Sequence, residues 1–142
     1  ILGGGAWVTG PDGSERTLRV SATEGLPRAL LATGFPYDRH TASDDNTAES
    51  IAFLKTCRGL RRAGAAALDL AYVARGWFDG YWEMRLNPWD VAAGMLLVTE
   101  AGGRATGYAG EPMDVRGGRY VASNGKIHDE MLAVLHGVRQ EG

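Results

Sequence analysis

The stretch from Asn87 to Gly103 constrains the fold of this chain more than any other. Asn87 can cap a helix, and Pro88 suits the first helical position, where a missing N–H costs nothing. From Val91 through Ala92, Ala93, Gly94, Met95, Leu96 and Leu97 to Val98 the residues are all apolar or glycine, and Gly102-Gly103 stops them. A helix that is apolar nearly all round has to be buried. Just upstream, residues 79–86 alternate, with Trp82, Met84 and Leu86 facing one way and Tyr81, Glu83 and Arg85 the other, which is the period of a strand. A strand delivering the chain into a buried helix points to a layered α/β domain.

The remaining segments fit that architecture. Ile1-Leu2-Gly3-Gly4-Gly5-Ala6-Trp7 reads as a loop running into a strand, as in the middle of a structure. Residues 6–9 and 17–20 flank Gly10-Pro11-Asp12-Gly13-Ser14, where Pro presets φ and Gly accepts positive φ, so a β-hairpin is expected. A two-stranded hairpin is marginal alone, and no later segment reads as its partner. Residues 30–35 read as a buried strand ended by Pro36. Residues 44–56 read as a helix with Ala48, Ile51, Ala52 and Leu54 on its apolar side, and 60–63 as a short strand. A small-residue helix, mostly buried, is expected over 64–75, with Gly76 at its end. Strands at 104–106 and 120–123 and a final helix over 128–138, with Met131, Leu132, Val134 and Leu135 inward, complete the alternation. The expected division is a hairpin over residues 1–25 and an α/β domain over 26–142.

Composition narrows the functional classes. The 142 residues are 44% hydrophobic and 23% charged, with a formal net charge of -2, so no basic stripe is available to neutralise nucleic-acid phosphates in series. The densest cations, Arg58, Arg61 and Arg62, read as a solvated face. Cys57 stands alone, which rules out an intrachain disulfide and suits a reducing, cytoplasmic compartment. No apolar run approaches the roughly 18 residues of a membrane span, and no charged-then-apolar leader is present, so neither membrane nor secretion is expected.

Three places could carry chemistry, each with two readings. Asp90, in the first turn of the apolar helix, can satisfy free backbone N–H groups and the positive helix end, or it can hold a hard cation such as magnesium; the residue pattern alone favours the first. Glu83 can be a solvated strand residue or can accept a hydrogen bond from a polyol hydroxyl. Gly64-Ala65-Ala66-Ala67 can be a close-packed helix start or can offer backbone N–H groups to a ligand oxygen. Gly3-Gly4-Gly5 lacks a following helix and a lysine at phosphate-loop spacing. His40, His128 and His136 lie in separate segments without metal-ligand spacing, and Cys57 has no partner base, so all four read as structural or surface residues.

Asn87-Pro88-Trp89-Asp90-Val91-Ala92-Ala93-Gly94, continuing to Thr99-Glu100-Ala101-Gly102-Gly103, resembles the second signature of the inositol monophosphatase family. Arg62-Ala63-Gly64-Ala65-Ala66-Ala67 with residues 70–76 resembles the family's glycine–alanine helix, residues 79–83 its next strand, and Tyr120-Val121-Ala122-Ser123-Asn124 its last strand. The resemblance runs in order along the chain. It implies a layered α/β sandwich of the inositol monophosphatase/fructose-1,6-bisphosphatase type, of which this is the C-terminal portion: a mixed sheet flanked by helices. It implies a Mg2+-dependent phosphatase acting on a small-molecule phosphate ester, with inositol monophosphate the leading candidate and fructose 1,6-bisphosphate or a 3′,5′-bisphosphate nucleotide the alternatives. By the same resemblance Asp90 is catalytic, binding a magnesium ion and touching substrate. Glu83 hydrogen-bonds a substrate hydroxyl, and Gly64, Ala65 and Ala66 line the polyol pocket. Many relatives carry Thr or Ser where this chain has Ala65, which leaves only backbone contacts there. The family's first signature, Asp-Pro-Leu-Asp-Gly-Thr, is not in this sequence; Pro11-Asp12-Gly13-Ser14 only echoes it in a turn. The resemblance therefore implies an N-terminal half that supplies the other carboxylates and receives the 1–25 hairpin in its sheet. It also implies a homodimer, and a chain inactive by itself. A non-catalytic binding half-domain is the reading from a different class.

Overall fold

Strand β5, Gly80–Met84, sits at the centre of the molecule because both of its faces are covered; all five of its residues are buried. The computed structural model describes residues 3–140, and the expectation for Ile1 and Leu2 lies outside the described residues. In chain order the elements are β1 (Trp7–Thr9), β2 (Glu15–Thr17), β3 (Leu30–Thr33), α1 (Thr47–Thr56), β4 (Gly59–Arg61), α2 (Ala66–Ala74), β5, α3 (Pro88–Glu100), β6 (Arg104–Thr106), β7 (Arg119–Ser123) and α4 (His128–Gln140).

Five strands form a mixed sheet in the order β4-β3-β5-β7-β6. β3 runs parallel to β4 and to β5, while β7 is antiparallel to both β5 and β6. Helices cover both faces. On one, Leu70 and Val73 of α2 and Val91, Met95 and Val98 of α3 pack with Ala32, Tyr81, Tyr120 and Ala122 of the sheet. On the other, Phe53 of α1 and Met131, Leu132 and Leu135 of α4 pack with Leu31, Trp82, Met84 and Val121. The α2–α3 approach requires Gly94, since a Cβ there would lie 2.6 Å from the Leu70 side chain. The expected fold, a mixed sheet flanked by helices, is the one observed.

Several local expectations need correction. Alternation along β5 does not separate a core face from a wet face; helices on both sides bury Tyr81 and Glu83 as well as Trp82 and Met84. Helix α1 turns a different side inward: Ile51 and Leu54 are half or more exposed, whereas Phe53 is buried against the Trp82 ring, 4.1 Å between centroids, and Glu49 is buried where it pairs with Arg139 at 2.9 Å. Small-residue helix α2 is buried on one side only, leaving Ala67 and Leu68 exposed.

The hairpin forms a separate two-stranded sheet, registered Trp7↔Thr17, Val8↔Arg16 and Thr9↔Glu15, with all six of these residues exposed. Its second strand is Glu15–Thr17, displaced toward the turn from the expected 17–20 and sharing only Thr17 with it. Leu18 turns into the α2–α3 core, its N–H bonded to the Ala6 carbonyl, and Val20 donates to the Ala101 carbonyl. Both carboxylate oxygens of Glu100 accept backbone N–H groups, from Gly3 at 2.6 Å and Gly5 at 2.7 Å. The hairpin is thus tied to the end of α3. No helix among the described residues is long and apolar enough to cross a membrane.

Candidate active site

Three parallel strands, β4, β3 and β5, end on the same side, and a cleft of about 220 Å³ opens beyond their C-terminal ends. Crevices at this edge of an open α/β sheet are where helix starts and loops converge and ligands bind. The loop after β3 contributes Gly34, Phe35, Pro36 and Tyr37. The turn after β4 brings Arg62, Gly64, Ala65 and Ala66, and the turn after β5 brings Arg85, Leu86, Asn87 and Asp90. Glu83 and Asp69 complete the wall. Every residue that the resemblance assigns to the site, Gly64, Ala65, Ala66, Glu83 and Asp90, lies on this one cleft.

Asp90 occupies the third position of α3 because Asn87 caps the helix and Pro88 starts it. Its Oδ2 accepts the Asn87 N–H at 3.0 Å. The carboxylate therefore does the structural task expected of a first-turn acid while also facing the cleft. At the start of α2, Gly64 takes a φ of 89°, in the region that favours glycine, and Ala65 occupies the N-cap with extended backbone. No side chain caps this helix. The Ala65 carbonyl accepts from Leu68 and Asp69, at 3.0 and 2.9 Å.

Glu83 is held from behind. The Tyr81 hydroxyl donates to its Oε2 at 2.5 Å. Gly34 lies so close that a Cβ there would fall 2.1 Å from Glu83 Oε1. Burial pushes the Glu83 carboxyl up, while the Tyr81 hydrogen bond and the Arg62 charge pull the other way. Burial and the Glu83 charge push the Tyr81 phenol upward, so it stays protonated as a donor. Asp69 is pushed up to about 6 by burial and then by Glu83, and its Oδ1 is buried without a hydrogen-bond partner among the described residues.

The loop over the cleft is pinned by Asn46, which is fully buried. Its Nδ2 donates to Thr33 Oγ1 at 2.9 Å and to the Gly34 carbonyl at 2.6 Å, and its Oδ1 accepts the Trp82 indole N–H at 2.8 Å. On the other rim Arg85 holds a positive φ of 59° and bonds Asp38 at 2.5 Å.

Sequence reasoning missed Asp69, Tyr81 and the placement of Arg62. Asp69 stands three and four residues after Ala66 and Ala65, the spacing that shares one helix side, and helical side chains tilt toward the N-terminus. That spacing could have found it. Arg62 is exposed, as read, but it borders the cleft and stands 5.7 Å from the Phe35 ring centroid. The histidines stay outside this cleft: His128 is buried between Ser123 and Thr106, at 2.9 and 2.8 Å. Among the described residues, no three His, Cys, Asp or Glu side chains gather as a metal-holding group. Asp90 offers a hard oxygen donor at the cleft, the type magnesium takes in ones and twos.

The family model described as the inositol monophosphatase family matches residues 1–140. The inositol-1-monophosphatase of Synechocystis is 47% identical over 122 residues, covering 86% of this chain and 42% of that protein. A Nus factor SuhB from Pseudomonas aeruginosa is 44% identical over 122 residues, covering 84% of this chain and 45% of its own. Among solved structures, the inositol monophosphatase of Anabaena superposes with a TM-score of 0.84 at 46% identity, over 87% of this chain and 50% of that one. The chain thus spans about half the length of the proteins it matches.

Proposed function

This chain belongs to the inositol monophosphatase family, and from that premise we propose that the complete protein hydrolyses the phosphate monoester of a small polyol, inositol monophosphate first among them, with Mg2+. The observation that supports this most is the convergence of Asp90, Glu83 and the α2 start on one cleft at the strand ends. Magnesium, when bound, supplies the charge that draws electron density from the phosphate and from an attacking water. Asp90 contributes one oxygen ligand and abuts the ester. Glu83, fixed by the Tyr81 hydroxyl, accepts a substrate hydroxyl. Gly64, Ala65 and Ala66 present backbone to the polyol, and Ala65 leaves room where a hydroxyl-bearing side chain would stand.

One carboxylate at the metal position does not make a site, so the remaining ligands come from the rest of the protein. The same partner explains the uncovered apolar surface. Trp7, Leu68 and Trp89 are 51%, 45% and 78% exposed, large apolar side chains that the rest of the protein would cover. In this reading the 1–25 hairpin joins the sheet of the other half, residues 26–142 form the C-terminal α/β domain, and this chain alone does not turn over. A cytoplasmic homodimer completes the proposal.

The test is phosphate release by the complete protein from inositol monophosphate, fructose 1,6-bisphosphate and adenosine 3′,5′-bisphosphate, with and without Mg2+. Metal-dependent release with the highest kcat/KM on inositol monophosphate supports the reading; a higher value on either bisphosphate moves the substrate. The name Nus factor on a relative favours a second reading, a non-catalytic binding role. Stable protein that releases no phosphate from any of the three would select it.

A further inference from the structure

Asp69 is the cleft residue whose burial nothing among the described residues repays. It is 1% exposed, it lines the cleft, and its Oδ1 has no hydrogen-bond partner among the described residues. A buried acceptor left unpaired costs free energy that a neutral side chain at the same place would not. The core does not require the carboxylate: Leu70, Val73 and Ala74 make the packing contacts of α2. Glu83 cannot satisfy it as a carboxylate, because two acceptors do not bond one another, and the Tyr81 hydroxyl is already committed to Glu83. What Asp69 lacks is a donor, and the cleft is the side from which one can arrive.

The uncapped start of α2 gives that donor a definite chemistry. The first N–H groups of a helix have no intrahelical acceptor, and here no side chain supplies one. A group that donates to a carboxylate and accepts from an N–H is a hydroxyl. Glu83, on the neighbouring wall, is a second carboxylate acceptor. Two fixed acceptors beside a short row of donors match adjacent hydroxyls on a ring or chain, and they do not match an anionic or apolar group.

We propose that Asp69 is a further substrate-binding residue, accepting a hydrogen bond from a hydroxyl next to the one held by Glu83, so that the site selects esters with vicinal hydroxyls. This rests on the hydrolase reading above. Asp69 contributes to binding and selectivity and takes no part in phosphorus chemistry.

The experiment compares the complete wild-type protein with Asp69→Ala and Asp69→Asn on inositol 1-phosphate and on phenyl phosphate, which has no free hydroxyl. Asp69→Ala raises KM for the polyol ester between about tenfold and a hundredfold, the worth of a hydrogen bond to a charged group. It leaves kcat/KM for phenyl phosphate within about twofold, and Asp69→Asn, which keeps one acceptor oxygen, recovers part of the lost affinity. Thermal unfolding of Asp69→Asn occurs no lower than that of wild type, because the substitution removes an unpaired buried charge. Equal losses on both esters, a lowered unfolding temperature for both variants, or unchanged KM for the polyol ester would overturn the proposal while leaving the hydrolase reading intact. Absence of phosphate release from both esters by wild-type protein would remove the hydrolase reading, and the proposal with it.

Discussion

Replacing Gly34 by alanine probes how tightly the cleft floor is built. A Cβ at this position would lie 2.1 Å from Oε1, 2.3 Å from Cδ and 2.5 Å from Oε2 of Glu83. Carbon atoms pack best at about 3.5–4.0 Å, so the approach to Cδ is short by more than an ångström, and both oxygens also lie closer than side-chain carbons tolerate. Rotating the carboxylate cannot clear a clash that involves its carbon and both its oxygens, so Glu83 must leave its place and release the Tyr81 hydroxyl. Gly34 has no positive φ, and backbone strain adds nothing. Overpacking costs about 1–3 kcal/mol, and a hydrogen bond to a charged group contributes about 1.5–3 kcal/mol. Because displacement relieves part of the overlap, the two costs do not add in full, and a loss of about 2–4 kcal/mol follows. Urea unfolding of the complete protein measures it. In a Glu83→Ala background the obstacle is gone and the same Gly34→Ala change costs less than about 0.5 kcal/mol, so the double-mutant cycle shows a coupling of at least about 1.5 kcal/mol. Equal effects of Gly34→Ala in both backgrounds would refute the reasoning.

Other substitutions test the surrounding structure. Asn46→Ala strands the Trp82 indole N–H and the Gly34 carbonyl, which both lose buried partners; unfolding measurements should show a loss of about 3 kcal/mol or more, and less than about 1 kcal/mol would contradict the role. His128 has its pKa lowered to about 4, chiefly by burial and then by Arg104. The unfolded chain therefore binds more protons than the folded one between about pH 6.5 and pH 4. Stability falls as pH drops through that window, by up to about 3 kcal/mol, and His128→Gln flattens that part of the curve. Arg85→Gly relieves a positive φ worth about 1–2 kcal/mol and forfeits an exposed ion pair worth about 0–1 kcal/mol. It should leave stability unchanged or raise it by up to about 2 kcal/mol, whereas a loss above about 2 kcal/mol would show that the ion pair holds the loop.

Local signals in the chain were enough for the order of strands and helices. Cap residues and turn chemistry act over a few positions, so Asn87-Pro88 and Gly10–Ser14 mark their elements unaided. Burial is decided by what packs on each face, and there the sequence misled. Glu83 and Tyr81 alternate like surface residues yet lie under α2 and α3. Ile51 and Leu54 look like a core face yet stay exposed, because Phe53 and Glu49 have the better partners, Trp82 and Arg139. The candidate residues Gly64, Ala65, Ala66, Glu83 and Asp90 were legible through a resemblance rather than through physical necessity. Their meeting on one cleft follows from three parallel strands ending together. Asp69 escaped notice because a single Asp in an apolar helix gives no sign of being unpaired until its surroundings are known.

The central claim is that Asp90 serves a metal at this cleft, and calorimetric titration of the complete protein with Mg2+ tests it most directly. Asp90→Asn keeps an oxygen to accept the Asn87 N–H, so α3 stays capped and circular dichroism is unchanged, while the ligand charge is lost. The account predicts that Mg2+ affinity falls at least about tenfold in this variant. Equal Mg2+ affinity in wild type and Asp90→Asn would contradict it and leave Asp90 as a helix cap alone.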